Sequence, residues 1–237
     1  MSKVIIIVNA QVRGGKIIPN APVAQRMAMA LGNGVNKFNP HWEIEIVSGA
    51  DLWSKSIQLS SPSTNVVYCP LTIKLPDWFV FPAQKIYYAC RDVEKRRQWV
   101  EKYFGYQTSE ENQWLGDLWL PIIVTRENLI YGSVIGEGMI PNDYQQPYDI
   151  SSEIRKKLCH LADALLDSIQ AIPSVYLLQF RLIQGNIIFD RIWPFPATPA
   201  ISSINQQQPD LFTCHWCCLS NQTISEILYP SVNFRYI

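Results

Sequence analysis

Cys214-His215-Trp216-Cys217-Cys218 is the most reactive-looking string in the chain. A Cys-x-x-Cys pair lowers a thiol pKa when it opens a helix and chelates a soft metal when a second pair faces it. Cys214, His215 and Cys217 are therefore the candidate metal ligands, yet they supply only part of a closed zinc site. No second pair follows at matching spacing, which leaves Cys69, Cys90, Cys159 and His41 as scattered completers. A thioredoxin-type pair belongs directly after an early strand, whereas this one lies near the C-terminus behind a loop rich in Gln and Pro. Structural thiols are the reading the spacing favours, with a metal site and a redox pair as alternatives.

Asp190 is the second candidate, because it interrupts the apolar run Ile187 to Ile192. A carboxylate in such a strand has to be paired, hydrated or bound to a metal, since a lone buried charge is too costly. Arg191 is expected on the opposite face, and Arg181 on the neighbouring strand is the expected partner. A structural ion pair and a ligand or metal site made by Asp190 and Arg181 both remain open. Glu127, Glu137, Asp143 and Asp149 fall on loops of the same half. Other chemistries find no support. Gly14-Gly15-Lys16 lacks the spacing of a phosphate loop and reads as a flexible turn. The three histidines, His41, His160 and His215, form no set with a serine elbow.

These residues need a scaffold, and the pattern predicts a mixed α/β one. Val4 to Val8 reads as a buried strand, Pro22 to Leu31 as a helix stopped by Gly32, Trp42 to Val47 as a strand, Asp51 to Leu59 as a helix and Val66 to Tyr68 as a strand. This βαβ rhythm implies parallel strands. Between Cys69 and Pro82, prolines at 70, 76 and 82 mark edge strand and ordered loop, Lys85 to Cys90 reads as a strand, and Asp92 caps a helix that ends at Phe104 before Gly105. Gln107 to Gln113 is the linker candidate. Beyond it, Leu118 to Thr125 and Leu129 to Ile135 form a hairpin. Ser151 or Ser152 caps a helix carrying Ile154, Leu158, Leu161, Leu165 and Ile169, and Val175 to Leu182 and Ile187 to Ile192 form a second hairpin about Gln184-Gly185-Asn186. The expected architecture is an N-terminal βαβ unit (1–106) packed on a hairpin-helix-hairpin sheet domain (114–237), as two parts or as one continuous domain.

At this length folding buries roughly 70 to 75% of the chain's surface. Apolar residues make up 48% of the chain and charged residues only 17%, which excludes a disordered chain. Twenty basic residues balance twenty acidic ones, so the electrostatic argument for a nucleic-acid or anionic-membrane partner is absent. Arg91, Lys95, Arg96 and Arg97 read as a solvated helix face. No run approaches the ~20 apolar residues of a membrane span, and six cysteines at these spacings do not form a secreted disulfide framework. A soluble cytoplasmic protein with reduced thiols is expected.

The order of elements, with Tyr131-Gly132-Ser133-Val134-Ile135-Gly136 in a hairpin, the helix from Ser151, and Val175 to Phe180 followed by Ile187 to Asp190 and a proline-rich exit, resembles the part that closes an ATP-grasp ligase of the RimK-like kind. The resemblance covers about half of the chain. In that family an acid on the last strand, with an Asn two residues on, holds magnesium on the ATP phosphates. Asp190 matches the acid, but Ile192 stands in the Asn position. Too few residues separate the N-terminal unit from the hairpin for the family's lysine-bearing nucleotide subdomain. The resemblance thus implies a shortened relative, with ATP and magnesium as its cofactors if catalysis survives.

With no complete catalytic or metal signature, the main expectation is a binding or assembly factor that meets a protein partner, or itself, through an aromatic, weakly charged surface. Trp78, Phe79, Trp114, Trp119, Trp193 and Phe195 are its anchor candidates. The surface reading fails if five or six of them are buried. An ATP-dependent ligase and a zinc or thiol-redox protein are the alternatives.

Overall fold

The computed structural model describes residues 2–57, 59, 65–109 and 115–229. The branched run Lys3–Val8 forms strand β1, buried on both faces as a central parallel strand must be. A hairpin of β2 (Val12–Arg13) and β3 (Lys16–Ile17) follows, turning on Gly14 and Gly15 at φ 57° and 72°. Helix α1 spans Pro22–Phe38, strand β4 Glu43–Ser48, helix α2 Gly49–Trp53 and strand β5 Val66–Pro70. β1 pairs in parallel with β4 on one side and β5 on the other.

The helix α1 runs past the expected stop at Gly32. An interior glycine costs about 1 kcal/mol of helix propensity, but a Cβ on Gly34 would lie 3.0 Å from the Cα of Thr213, so a close helix contact is what that glycine permits. α2, capped by the Ser48 hydroxyl, stops at Trp53 and is shorter than the helix expected to Leu59. The loop expected at 60–63 lies outside the described residues.

Residues 84–91 form helix α3 and not the expected strand, because the buried positions Ile86, Tyr87 and Cys90 recur at helical spacing. Helix α4 (Val93–Phe104) begins where Asp92 accepts the Lys95 amide and ends at Gly105 with φ 65°. The expected linker opens with strand β6 (Gln107–Thr108); residues 110–114, with Trp114, lie outside the described set.

The second half contains β7 (Leu118–Val124), β8 (Leu129–Tyr131), β9 (Ile135–Glu137), β10 (Tyr144–Gln145), helix α5 (Ser152–Ser168), β11 (Ser174–Ile183) and β12 (Asn186–Trp193). A 3-10 turn (Thr198–Ser203) and helix α6 (Leu211–Ser220) follow. The sheet order is β10-β9-β7-β11-β12-β6, with β8 also on β7. Ser151 caps α5 by accepting the Ile154 amide, as expected, and the β11–β12 turn uses Gln184 and Gly185 at φ 51° and 78°.

This sheet separates two cores. Along β11, Tyr176, Leu178 and Phe180 face α5, whereas Val175 and Leu177 join a cluster that also contains β1, α1 and α6. That second cluster runs through both halves of the chain. Among the described residues no helix is long and apolar enough to cross a membrane.

Candidate functional site

On β12 the register steps from Gln179 opposite Arg191 to Phe180 opposite Phe189, so Asp190 is the extra residue of a β-bulge. A bulge leaves a backbone carbonyl without its ladder partner, and Arg97 on α4 supplies one. Its Nε donates to the Asp190 carbonyl at 3.1 Å and its Nη2 to Asp190 Oδ1 at 2.7 Å. Arg191 Nε donates to the same Oδ1 at 3.1 Å, and the Gly116 amide donates to Oδ2 at 2.8 Å. The Asp190 side chain is 0% exposed and that of Arg97 7%.

These partners correct two expectations. Arg191 folds back onto Asp190, and Arg96 and Arg97 are buried, not solvated. Among the described residues Asp190 pairs with Arg97 and Arg191, while the half-buried Arg181 lines a cleft instead. A signal for Arg97 existed in the sequence: Val93, Arg97, Val100 and Phe104 share one helical stripe, so Arg97 stands where an inward-facing residue belongs.

Magnesium does not fit at Asp190. Both carboxylate oxygens already accept from protein donors, a guanidinium stands beside them, and Ile192, in the position of the family's Asn, is apolar and buried. No group of three or more His, Cys, Asp or Glu placed to hold a metal occurs among the described residues. Residues 105–117 separate α4 from β7.

A cleft of about 1160 Å³ opens where β1 and β5 end. Its N-terminal wall comprises Val8 and Asn9 at the end of β1, the first turn of α1, and Leu71 to Lys74 after β5. Its other wall comprises Gly116, Asp117, Trp119, Gln179, Arg181, Trp193 and Phe195. Ligands of open parallel α/β sheets bind at these strand ends because the crossovers leave a crevice there. The walls are largely apolar, and two cations (Lys74, Arg181) and two carboxylates (Asp117, Glu137) balance in charge. Glu137 Oε1 accepts the Asn142 amide at 2.7 Å and so holds the β9–β10 loop, which carries the fully exposed Met139 at the rim. Gln179 is spent on the wall itself: its Nε2 donates to the Gly116 carbonyl at 2.6 Å and its Oε1 accepts from Trp193 Nε1 at 2.9 Å.

The anchor candidates divide. Phe79, Trp119 and Phe195 are buried, which corrects their placement on a docking face. Phe79 and Phe195 stand in an aromatic chain in which Phe79 stacks on Phe81, Phe81 meets Tyr87, Tyr87 stacks on Phe195 and Phe195 meets Trp193, whereas Trp119 meets Tyr144 edge-on. Trp193 is half-buried in the cleft wall, and Trp78 is 42% exposed. The criterion of five or six buried is not reached, but an aromatic patch built from all six does not exist either.

The cysteine string lies on α6, whose residues 211–218 are all buried. Its ring and thiol groups pack and do not converge. Trp216 Nε1 donates to Asn39 Oδ1 at 3.0 Å and its ring meets Trp42 edge-on. Burial holds the thiols protonated, pushing Cys217 up to about 11 and Cys218 up to about 12, and lifting Cys214 well above its usual range. The His215 Nδ1 accepts the Val175 amide at 3.4 Å and lies 3.2 Å from the Ser174 hydroxyl, and burial lowers the imidazole to about 3. A neutral histidine so held, beside protonated thiols, is core structure.

No protein-family model matches this chain, and no curated protein matches its sequence. Solved structures do resemble it. Glycinamide-RNase-transformylase T from Mycobacterium tuberculosis superposes with a TM-score of 0.64 at 12% identity, over 94% of this chain and 80% of that one. N5-carboxyaminoimidazole ribonucleotide synthetase from Thermus thermophilus gives 0.63 at 11%, over 94% and 79%. L-amino acid ligase from Bacillus licheniformis gives 0.60 at 10%, over 97% and 78%. All three are ATP-grasp-type ligases, and identities this low speak for the fold alone. The chain is a mixed α/β protein with an ATP-grasp-like fold.

Proposed function

We propose that this chain is a degenerate relative of the ATP-grasp-type ligases, a small-molecule-binding protein whose cleft survives and whose magnesium-nucleotide chemistry at Asp190 is lost. The observation that carries this reading is the sealing of Asp190 by Arg97, Arg191 and Gly116, beside an open cleft with a mixed polar and apolar lining. Both oxygens of the one acid that matches the metal-holding position are committed, so phosphates would find no cation there. The cleft volume is close to that of ordinary ligand sites, and its apolar walls with a few charged groups suit a compact organic molecule with an apolar body.

Calorimetry and phosphate-release assays with ATP, with and without magnesium, test the loss of nucleotide chemistry. The expected result is no magnesium-dependent heat and no turnover; steady magnesium-dependent ATP hydrolysis sinks it. A thermal-shift panel of carboxylates, amines and nucleotides tests the cleft. At least one saturable ligand is expected, and its effect should vanish in Ala24→Trp, which fills the cleft from α1. Indifference of every hit to that substitution rules out the cleft as the site.

A further inference from the structure

We infer that Arg97 is a built-in cation at Asp190, and that the pair serves to clamp the segment Leu115 to Asp117 as a wall of the cleft without any metal. This deepens the reading above and rests on it only for the place of Asp190 in the fold.

The segment enters β7 through Gly116, whose backbone N–H and carbonyl are both held by side chains. Its N–H donates to Asp190 Oδ2, and its carbonyl accepts from Gln179 Nε2. The grip is close: a Cβ on Gly116 would lie 2.5 Å from the Phe180 carbonyl oxygen and 2.9 Å from the Phe180 nitrogen, backbone atoms that cannot swing aside. Leu115, Gly116 and Asp117 all line the cleft. A carboxylate buried at the bulge can stay an anion, and so accept the Gly116 amide in a charge-assisted bond, only with a counter-ion beside it. The Arg97 guanidinium answers that need at 2.7 Å, and it meets the orphaned bulge carbonyl at the same time through Nε. A divalent cation could neutralise the acid but could not donate to two oxygens in a fixed fork, which a planar guanidinium does. Asp190 and Arg97 are on these grounds positioning residues for the cleft wall.

Two measurements on the full chain test this. The first titrates manganese into the wild type and reads the free ion by its paramagnetic resonance; no binding is expected. Manganese binding that Asp190→Asn abolishes overturns the inference together with the loss of metal chemistry proposed above. The second follows amide exchange at Gly116 relative to the slowest core amides of β11. Wild type should protect Gly116, and Arg97→Ala should speed its exchange roughly tenfold or more, the factor expected when a charge-assisted hydrogen bond weakens. Millimolar free guanidinium, with sodium chloride as control, should restore protection in that variant. If Arg97→Ala does not fold, Arg97→Lys keeps the charge without the fork and should still loosen Gly116. Unchanged Gly116 exchange in the folded variants, or no guanidinium-specific rescue of Arg97→Ala, overturns the clamp while leaving the ligand reading intact.

Discussion

Replacing Arg97 with Met is the sharpest perturbation of this fold. Met fills much of the space of the arginine stem but removes both donors, leaving the Asp190 carboxylate, 0% exposed, with Arg191 as its remaining charged partner. Removing one partner of a buried pair ordinarily costs about 3–5 kcal/mol. Total stabilities of domains run at about 5–15 kcal/mol, so a large share would go. For a chain of this size each kcal/mol moves the melting temperature by about 2–4 °C, giving a drop of about 6–20 °C. Urea denaturation followed by tryptophan fluorescence and circular dichroism should show a lower midpoint at unchanged slope. The double variant Arg97→Met with Asp190→Leu should be less damaged than the sum of the two single changes. An apolar pair removes the uncompensated charge and leaves the Gly116 amide without its acceptor, at about 1–3 kcal/mol. A loss below about 1 kcal/mol in Arg97→Met would refute the claim that this pair holds the bulge.

Three further outcomes are expected. Because His215 is held near 3 when folded against 6.5 when free, the unfolded chain binds the extra proton. The stability it contributes is complete above pH 6.5 and falls as the pH drops toward 3, by up to about 4–5 kcal/mol; urea midpoints across that window should fall less steeply in His215→Leu, and equal slopes would contradict the assignment. Gly116→Ala should destabilise by about 1–3 kcal/mol or more, since its Cβ meets backbone, and a neutral result in thermal melts would mean that the approach to Phe180 is looser than described. A thiol reagent at neutral pH should modify Cys159 first, the other five cysteines being buried, and a chelator should leave the melting temperature unchanged; prompt labelling of Cys214 or Cys217 would speak against the packed α6.

The parallel β1, β4 and β5, the capped α5 and the β11–β12 hairpin were legible because each carries a local signal: a branched run, a serine cap with apolar spacing, a Gln-Gly turn. Lys85 to Cys90 was misread as a strand because its aromatic and branched composition outweighed a helical period visible over only two turns. The α1 extension was hidden because Gly34 is explained only by Thr213, far along the chain. The site shows the same division. Asp190 was recognisable from its apolar neighbours, and a structural ion pair was among its readings. Its partner was overlooked: the stripe through Val93, Arg97, Val100 and Phe104 marks Arg97 as inward-facing, but the neighbouring charges read as a wet face, and which residue it meets is set only by tertiary packing. Gly116 carried no local signal at all; its role depends on two side chains from β11 and β12.

The docking of α6 against α1 also bears on how the chain is made. Trp216 bonds to Asn39 across 177 positions of sequence, and Thr213 sits against Gly34. As the polypeptide leaves the ribosome, β1, α1 and β4 must wait with an uncovered greasy flank until residues 211–220 of α6 have been translated. Contacts this distant slow folding and lengthen exposure to aggregation. A nascent chain stalled before residue 211 should therefore be a client for chaperones, and the early βαβ segment expressed by itself should be insoluble.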